Sequence, residues 1–244
     1  MLQDKVIIIT GASGGIGLEI ARALAAEGAR LLLTARRQAK LEAIQTELIA
    51  TGANVAIFNG DVTVEADCQA IAQAAVEAFG RIDVLINNAG YGPPGSLQET
   101  TEALWDVTIN SCLKSVYLMT RAVVPLMLPH GDGTILQISS TAGKNGVPNR
   151  TAYCAAKWGV EGFTAALRAE LSDQGIRVHS VNPGPVATPW WETAGNAQPQ
   201  DVLDRMVQPE DVAEAVRWLL TQAENVRIDE IVVQPRQNPG IQRK

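Results

Sequence analysis

Short apolar runs alternate with longer segments of helical periodicity along the whole chain. The runs are apolar throughout instead of alternating with polar residues, which is typical of strands covered on both faces of a parallel sheet. The predicted strands are 5–10, 30–34, 54–59, 82–87, 133–139, 176–182 and 228–233. The predicted helices are 16–27, 38–51, 65–79, 101–128, 152–174 and 210–221.

Strict alternation of strands and helices predicts the fold class. It favours an α/β protein with a doubly wound, Rossmann-type, seven-stranded parallel sheet and helices on both faces. No repeat or shift in composition marks a second domain, so we expect a single domain over 1–244. The long irregular segment 183–208 predicts a substrate lid. Pro125 predicts a kink in the fourth helix.

Composition and charge then exclude several classes of protein. The 244 residues are 46% hydrophobic and 19% charged, which argues against disorder. A net charge of −6 without a basic run gives little support to binding of nucleic acid or membranes. The longest apolar stretch, 115–128, contains Arg121 and Pro125, so we expect no spanning helix. The N-terminal apolar run begins too early and is too short for a secretion signal. Three scattered cysteines and two separated histidines predict no metal site and fit a cytoplasmic location.

A glycine-rich turn follows the first predicted strand. Gly11, Gly15 and Gly17 lie between that strand and an amphipathic helix, with Ser13 as an added hydroxyl donor. Glycines permit a tight turn and close approach of a ligand, and the N-terminus of the helix suits a pyrophosphate. The spacing differs from the common dinucleotide fingerprint, so a turn that serves only packing remains the alternative.

The end of the second predicted strand bears on the choice of cofactor. NAD sites often place an acid there to bind the ribose 2′-hydroxyl, whereas this strand is followed by Arg36 and Arg37. A guanidinium group can bind a 2′-phosphate through charge-assisted hydrogen bonds, which favours NADP(H). The alternative is that both arginines are solvated residues at the start of a helix.

Tyr153 and Lys157 are spaced to share one face of a helix. A nearby cation favours the phenolate, and a phenol tuned in this way can exchange a proton with an alcohol or a forming alkoxide. Ser139 and Ser140 end the fifth predicted strand, at the sheet edge where doubly wound folds bind ligands. An ion-assisted surface pair is the alternative for Tyr153 and Lys157.

Together these motifs resemble the classical short-chain dehydrogenases/reductases, including carbonyl reductases and 3-oxoacyl-carrier-protein reductases, over essentially the whole chain. The matching segments are 10–17 (TGASGGIG), 61–62 (DV), 87–90 (NNAG), Asn110, Ser140, Tyr153 with Lys157, and 182–189 (NPGPVATP). Ser140 fits better than Ser139 because it lies thirteen residues before Tyr153.

The resemblance implies a role for each catalytic position. Tyr153 would be the general acid in reduction and the base in oxidation. Lys157 would hold the nicotinamide ribose and lower the pKa of Tyr153. Ser140 would bind the substrate carbonyl, and Asn110 would anchor a water that links Lys157 to solvent. Asn110 could instead be a polar residue that fills a helix interior.

The resemblance also implies the cofactor-binding set. Asp61 would accept from the adenine amino group beside Val62, Asn88 would contact the adenosine ribose, and Val186 with Thr188 would orient the nicotinamide carboxamide. Asp61 could instead be a turn residue. The full predicted set is Gly11, Ser13, Gly15, Ile16, Gly17, Arg36, Asp61, Val62, Asn88, Ala89, Gly90, Tyr153, Lys157, Pro183, Gly184, Val186 and Thr188.

The expected protein is an NADP(H)-dependent oxidoreductase that transfers a hydride between nicotinamide and a ketone, an aldehyde or a secondary alcohol. Its partner would be a small carbonyl or alcohol, and the family implies a homodimer or homotetramer through the fourth and fifth predicted helices. Trp190 and Trp191 suggest an apolar or ring-bearing substrate, or simple lid packing. The C-terminal sequence departs from carrier-protein reductases, which weakens that assignment. Two competing hypotheses are a non-catalytic NADPH sensor or scaffold and an NAD-dependent alcohol dehydrogenase.

Overall fold

The computed structural model describes residues 2–223 and 225–241. The strands are β1 (Val6–Thr10), β2 (Arg30–Ala35), β3 (Asn54–Asn59), β4 (Val84–Asn87), β5 (Gly133–Ile138), β6 (Ile176–Pro183) and β7 (Glu230–Val233). The helices are α1 (Gly15–Ala26), α2 (Gln38–Ala50), α3 (Glu65–Phe79), α4 (Glu102–Ile109), α5 (Ser115–Met127), α6 (Thr151–Leu171), α7 (Trp190–Thr193), α8 (Gln200–Leu203) and α9 (Pro209–Leu220).

All seven strands form one parallel sheet in the order β3-β2-β1-β4-β5-β6-β7. The predicted fold class is therefore confirmed. The order reverses between β1 and β4, so the connections leaving these strands diverge at their carboxyl ends. That divergence opens a crevice at the edge where doubly wound sheets bind ligands.

The sheet is buried on both faces, as its continuous apolar strands predict. Within β1, Ile7 and Ile9 pack into the core that includes α1 and α9, while Ile8 packs into the core with α3 and α5. All three isoleucines have no exposed surface. Alternate residues of a strand point to opposite faces, so one short strand contributes to both cores.

The predicted helix 101–128 is interrupted by a turn of different geometry. A π-helical turn, Asn110–Lys114, separates α4 from α5, and a 3₁₀ turn follows α5. α5 continues through Pro125 to Met127. The whole stretch, Glu102–His130, is long and apolar enough by length and composition to cross a membrane. The sequence-based expectation that Arg121 and Pro125 interrupt the apolar stretch was therefore wrong. In this fold the stretch packs against α3 and α6.

The segment predicted as a lid contains α7 and α8 and folds back on itself. Val186 forms a bridge with Val207, and the backbone N–H of Ala187 donates to the Val207 carbonyl over 2.9 Å. Trp191, Val202 and Met206 form a small apolar cluster of their own. The segment therefore has an internal core beside the main sheet.

His179 on β6 gives a prediction about stability. Its ring is buried, and Nδ1 donates to the carbonyl of Ile228. Burial lowers the pKa of His179 against the opposing effect of that hydrogen bond, and Arg177 and Arg168 lower it further. Below about pH 6.5 the His179 ring is protonated more readily in the unfolded chain than in the folded chain, so the free energy of unfolding falls as the pH drops.

Replacing His179 with Gln should therefore reduce the loss of stability on acidification. One proton contributes at most ~1.4 kcal/mol per pH unit. The free energy of unfolding in urea, measured near neutral pH and about two units lower, checks this. His130→Gln is the control because His130 is exposed. An equal fall in wild type and His179→Gln would contradict the prediction.

Candidate active site

A cavity of about 1280 Å³ opens at the carboxyl edge of the sheet. Its walls come from the glycine turn, the ends of β4, β5 and β6, the start of α6, α7 and the C-terminal segment 234–241. Every predicted catalytic and cofactor-binding residue lines it except Asn110 and Gly17. Side chains from distant parts of the chain therefore converge where the strand order reverses.

The glycine turn has the geometry that its glycines predict. Gly11 has φ +67°, and a Cβ there would lie 2.9 Å from the Cα of Ala89. Thr10 locks the turn to the end of β4, because its Oγ1 accepts the backbone N–H groups of Asn88 and Ala89, each over 3.0 Å. The turn, the start of α1 and the end of β4 thus form one wall that a ligand backbone can approach closely.

Gly17 lies behind the turn and does not contact the cavity. A Cβ there would lie 2.5 Å from Nδ2 of Asn88 and 2.6 Å from the carbonyl oxygen of Gly11. The same Nδ2 donates to the carbonyl of Thr10 over 2.9 Å. Gly17 therefore supports the wall formed by the glycine turn and the end of β4 through close packing. The resemblance implied a different role, direct contact with the cofactor.

Gly17→Ala should consequently destabilise the protein by about 1–3 kcal/mol, because the new methyl group overpacks the turn. It should also weaken dinucleotide binding through displacement of Gly11. Chemical denaturation and titration with NADPH measure the two effects. Gly162→Ala is a matched control, since Gly162 is exposed on α6 and open space surrounds it. If both variants are as stable as wild type, the close-packing account fails.

A cationic cluster surrounds the turn at one end of the cavity. Nη2 of Arg37 lies 3.1 Å from Oγ of Ser13, and Arg36 and Lys40 also line this end. Arg36 is exposed and reaches to within 3.9 Å of Oδ2 of Asp61. Sequence reasoning relied mainly on Arg36, whereas the structure brings Arg37 to the turn. Such a cluster suits a phosphate group.

Asp61 lies beside this cluster, at the end of β3. Partial burial opposes its ionisation, but hydrogen bonds from the backbone and the hydroxyl of Thr63, with the charge of Arg36, lower the pKa of Asp61 overall. The Thr63 groups approach Oδ1 to 2.9 and 2.8 Å. Asp61 is therefore a carboxylate at neutral pH and can accept a hydrogen bond from an amino group.

The catalytic candidates meet at the opposite end. Lys157 is buried, and its Nζ donates to the carbonyl of Ile138 over 2.8 Å and lies 5.7 Å from the centroid of the Tyr153 ring. Oγ of Ser140 accepts the backbone N–H of Ala142 over 3.1 Å and approaches the carbonyl of Pro183 to 3.4 Å. The ammonium, phenol and hydroxyl groups therefore border one cavity, as the resemblance predicted.

Asn110 occupies the first position of the π-helical turn. Its backbone carbonyl accepts the N–H of Ser115. π turns frequently mark functional sites because they displace the backbone from regular geometry. The relay role of Asn110 stays a prediction.

Sequence reasoning missed three features of the cavity. Gly92 packs against the ring of Tyr153, because a Cβ at Gly92 would lie 2.6 Å from Cδ2. The guanidinium carbon of Arg150 lies 4.4 Å from the centroid of the same ring and 4.8 Å from that of Trp190. The segment 234–241, to which sequence reasoning assigned no role, also lines the cavity. The position of Arg150 at the start of the catalytic helix was the one available signal.

Comparisons with known proteins agree with this geometry. Residues 5–199 match the family described as short chain dehydrogenase. A putative ketoacyl reductase of Streptomyces coelicolor is 38% identical over 236 residues, covering 89% of this chain and 90% of the relative. Glycine betaine reductase ATRR of Emericella nidulans is 36% identical over 98% of this chain, which spans only 19% of that relative.

A solved structure gives the same result. A metagenomic short-chain oxidoreductase in complex with NADP is 39% identical and superposes with a TM-score of 0.84, covering 97% of this chain and 99% of that one. The chain belongs to the short-chain dehydrogenase/reductase family and is an oxidoreductase of that family. Its fold and relatives support a nicotinamide cofactor.

Proposed function

We propose that the protein catalyses NADP(H)-dependent interconversion of a ketone and a secondary alcohol, or of an aldehyde and a primary alcohol. The observation that carries the proposal is the shared cavity. Tyr153 beside the buried Lys157, with Ser140, lies at one end, and Arg36, Arg37 and Lys40 lie at the other. A non-catalytic NADPH sensor would have no use for the first group of residues.

The residues fit a phosphorylated dinucleotide. The turn has no room for a side chain at Gly11, so the backbone there can be approached closely by a pyrophosphate. The Arg37 and Ser13 pair supports a 2′-phosphate at the adenosine end, and the ionised Asp61 suits the adenine amino group. When bound, the reduced nicotinamide supplies a hydride.

The chain itself supplies orientation and a proton. Ser140 donates a hydrogen bond to the carbonyl oxygen, which polarises the bond for hydride attack on carbon. The hydroxyl of Tyr153 gives its proton to that oxygen as the carbon–oxygen double bond becomes single, yielding the alcohol and oxidised cofactor. Lys157 stabilises the phenolate that remains, and oxidation of the alcohol reverses each step.

The lid and Trp190 border the substrate end of the cavity, so we propose a small substrate with an apolar or ring-bearing group. The direct test is consumption of NADPH by the purified protein across ketones, aldehydes, diketones and 3-oxoacyl thioesters. Turnover with one class supports the proposal and identifies the preference of the cavity. Binding of NADPH without turnover across the whole panel favours the sensor hypothesis.

We further propose that the protein is a cytoplasmic homodimer or homotetramer. Three large aromatic side chains on α4, α5 and α6 support this assembly, because Trp105, Tyr117 and Trp158 are 40%, 44% and 54% exposed in the isolated chain. Contiguous exposed apolar patches mark association surfaces, and we propose that these side chains form one. Light scattering should give two or four times the mass of the chain, and Trp158→Glu should lower it. A monomeric wild type would refute the proposal.

A further inference from the structure

Two cationic side chains of the cavity lie next to Tyr153: Lys157, already described, and Arg150. Arg150 is the residue that precedes α6, and its backbone carbonyl accepts the N–H of Cys154 over 2.7 Å. The preceding residue, Asn149, has φ +60° and its carbonyl accepts the N–H of Gly95 over 2.9 Å. Two loops therefore fix the backbone from which the Arg150 side chain enters the cavity.

Two aromatic rings then fix the guanidinium group. Its carbon lies 4.4 Å from the centroid of Tyr153 and 4.8 Å from that of Trp190. Trp190 packs edge-on against Trp191 with centroids 5.0 Å apart, and Nε1 of Trp191 donates to the carbonyl of Val186 over 2.7 Å. The stack is therefore braced from the lid as well as from α6.

Stacking and hydrogen bonding use different directions of a guanidinium group. The guanidinium carbon of Arg150 lies over both rings, and a guanidinium group donates its N–H groups within its own plane, in a fork that matches a carboxylate. A cation held in this way loses little side-chain entropy when it binds an anion. The arrangement is suited to recognising a planar anionic group near the hydroxyl of Tyr153.

Charged side chains of the described cavity lining differ in their exposure. Glu192 and Arg236 also line the cavity but are exposed, so water and salt screen their charges. Arg150 is partly buried, and charge interactions strengthen as water is excluded. The partly buried guanidinium group of Arg150 therefore suits an anionic group of the substrate.

We propose that Arg150 is a specificity-determining residue that binds a carboxylate of the substrate, so that the substrate class is an oxo acid. The inference rests on the proposed function. The same ring carries the proton donor and supports the guanidinium group, so the carbonyl and the carboxylate must be close together. That spacing is found in 2-oxo and 3-oxo acids, and Trp190 would contact the remaining apolar or aromatic group.

The experiment compares acids with their neutral esters as substrates for NADPH oxidation. The pairs are phenylglyoxylate with methyl phenylglyoxylate, and acetoacetate with methyl acetoacetate. Wild type should prefer an acid of at least one pair, and Arg150→Leu should lower kcat/KM for that acid ~10–100-fold, the loss expected for a charge-assisted contact. The ester should change by less than about threefold, since it cannot make that contact.

Two further variants separate recognition from other roles. Arg121→Leu removes the same charge from an exposed site on α5, where Arg121 pairs with Glu65 over 2.7 Å, and should leave the ratio of acid to ester unchanged. Arg150→Lys should recover only part of the preference, because a lysine lacks the planar fork. If Arg150 merely orients Tyr153 or Trp190, Arg150→Leu will lower acid and ester equally, which overturns the inference.

The failures of the two proposals are distinguishable. Reduction of neutral carbonyls alone, with no preference for any acid, overturns the role of Arg150 and leaves the proposed function intact. Failure to oxidise NADPH with any carbonyl contradicts the proposed function itself.

Discussion

Tyr153→Phe is expected to lower kcat by roughly three orders of magnitude, because a positioned proton donor contributes about 10²–10⁴-fold. The variant retains the ring that contacts Gly92 and Arg150, so the stack and the fold should persist. The loss should therefore appear in turnover, while NADPH binding and the thermal unfolding midpoint stay near the wild-type values. Steady-state kinetics and fluorescence titration with NADPH measure both.

Tyr117→Phe provides the matched control for this experiment. Tyr117 is 44% exposed on α5 and lies outside the cavity, so removal of its hydroxyl should leave turnover unchanged. Retention of wild-type kcat by Tyr153→Phe would show that the proton comes from elsewhere, and the catalytic assignment would then be wrong.

Joint replacement of Arg36 and Arg37 by Met should lower kcat/KM for NADPH by two to three orders of magnitude (~10²–10³), since each charge-assisted contact contributes about 1.5–3 kcal/mol and Arg36 is largely exposed. Activity with NADH should be nearly unchanged, because it lacks the 2′-phosphate. Arg37→Met alone should account for most of the loss, because Arg37 is the arginine that contacts Ser13.

Single variants, each assayed with NADPH and with NADH, show which arginine binds the 2′-phosphate. Arg36→Asp should act less strongly than Arg37→Asp, since the Arg36 side chain is 75% exposed and directed toward Asp61. Arg121→Met controls for the change in net charge, as Arg121 is exposed on α5. An equal loss with NADPH and NADH would place the arginines outside the 2′-phosphate site and favour the NAD-dependent hypothesis.

Local sequence patterns could predict the elements of the fold but not every role within it. Continuous apolar runs such as β1 and positive-φ glycines such as Gly11 depend on neighbours in the chain, so their conformation was predictable. The displacement of Gly17 from the cavity depends on Asn88, which follows another strand. The contact between Gly17 and Asn88 is not encoded in the local periodicity of the sequence, so it was not predictable.

The same limit explains the missed part of the site. The stack of Arg150 joins the start of α6 to α7 across 40 residues of chain. In the C-terminal segment 234–241, Ile241 packs against the apolar cluster that contains Trp191. In the same segment, the carbonyl of Pro239 accepts a hydrogen bond from Arg205 over 3.1 Å. Neither contact leaves a pattern of spacing, so only the folded chain brings these residues together.

Direct hydride transfer in this cavity can be tested with NADPH that carries deuterium at C4 of the nicotinamide ring, by following the deuterium into the reduced substrate. The substrate is any carbonyl compound that the purified protein turns over, and the product alcohol is analysed by mass spectrometry and NMR. We expect one deuterium on the carbinol carbon when the correct face of the ring carries the label, and a proton from solvent on the oxygen. An alcohol without deuterium from either labelled face would contradict direct hydride transfer in this cavity.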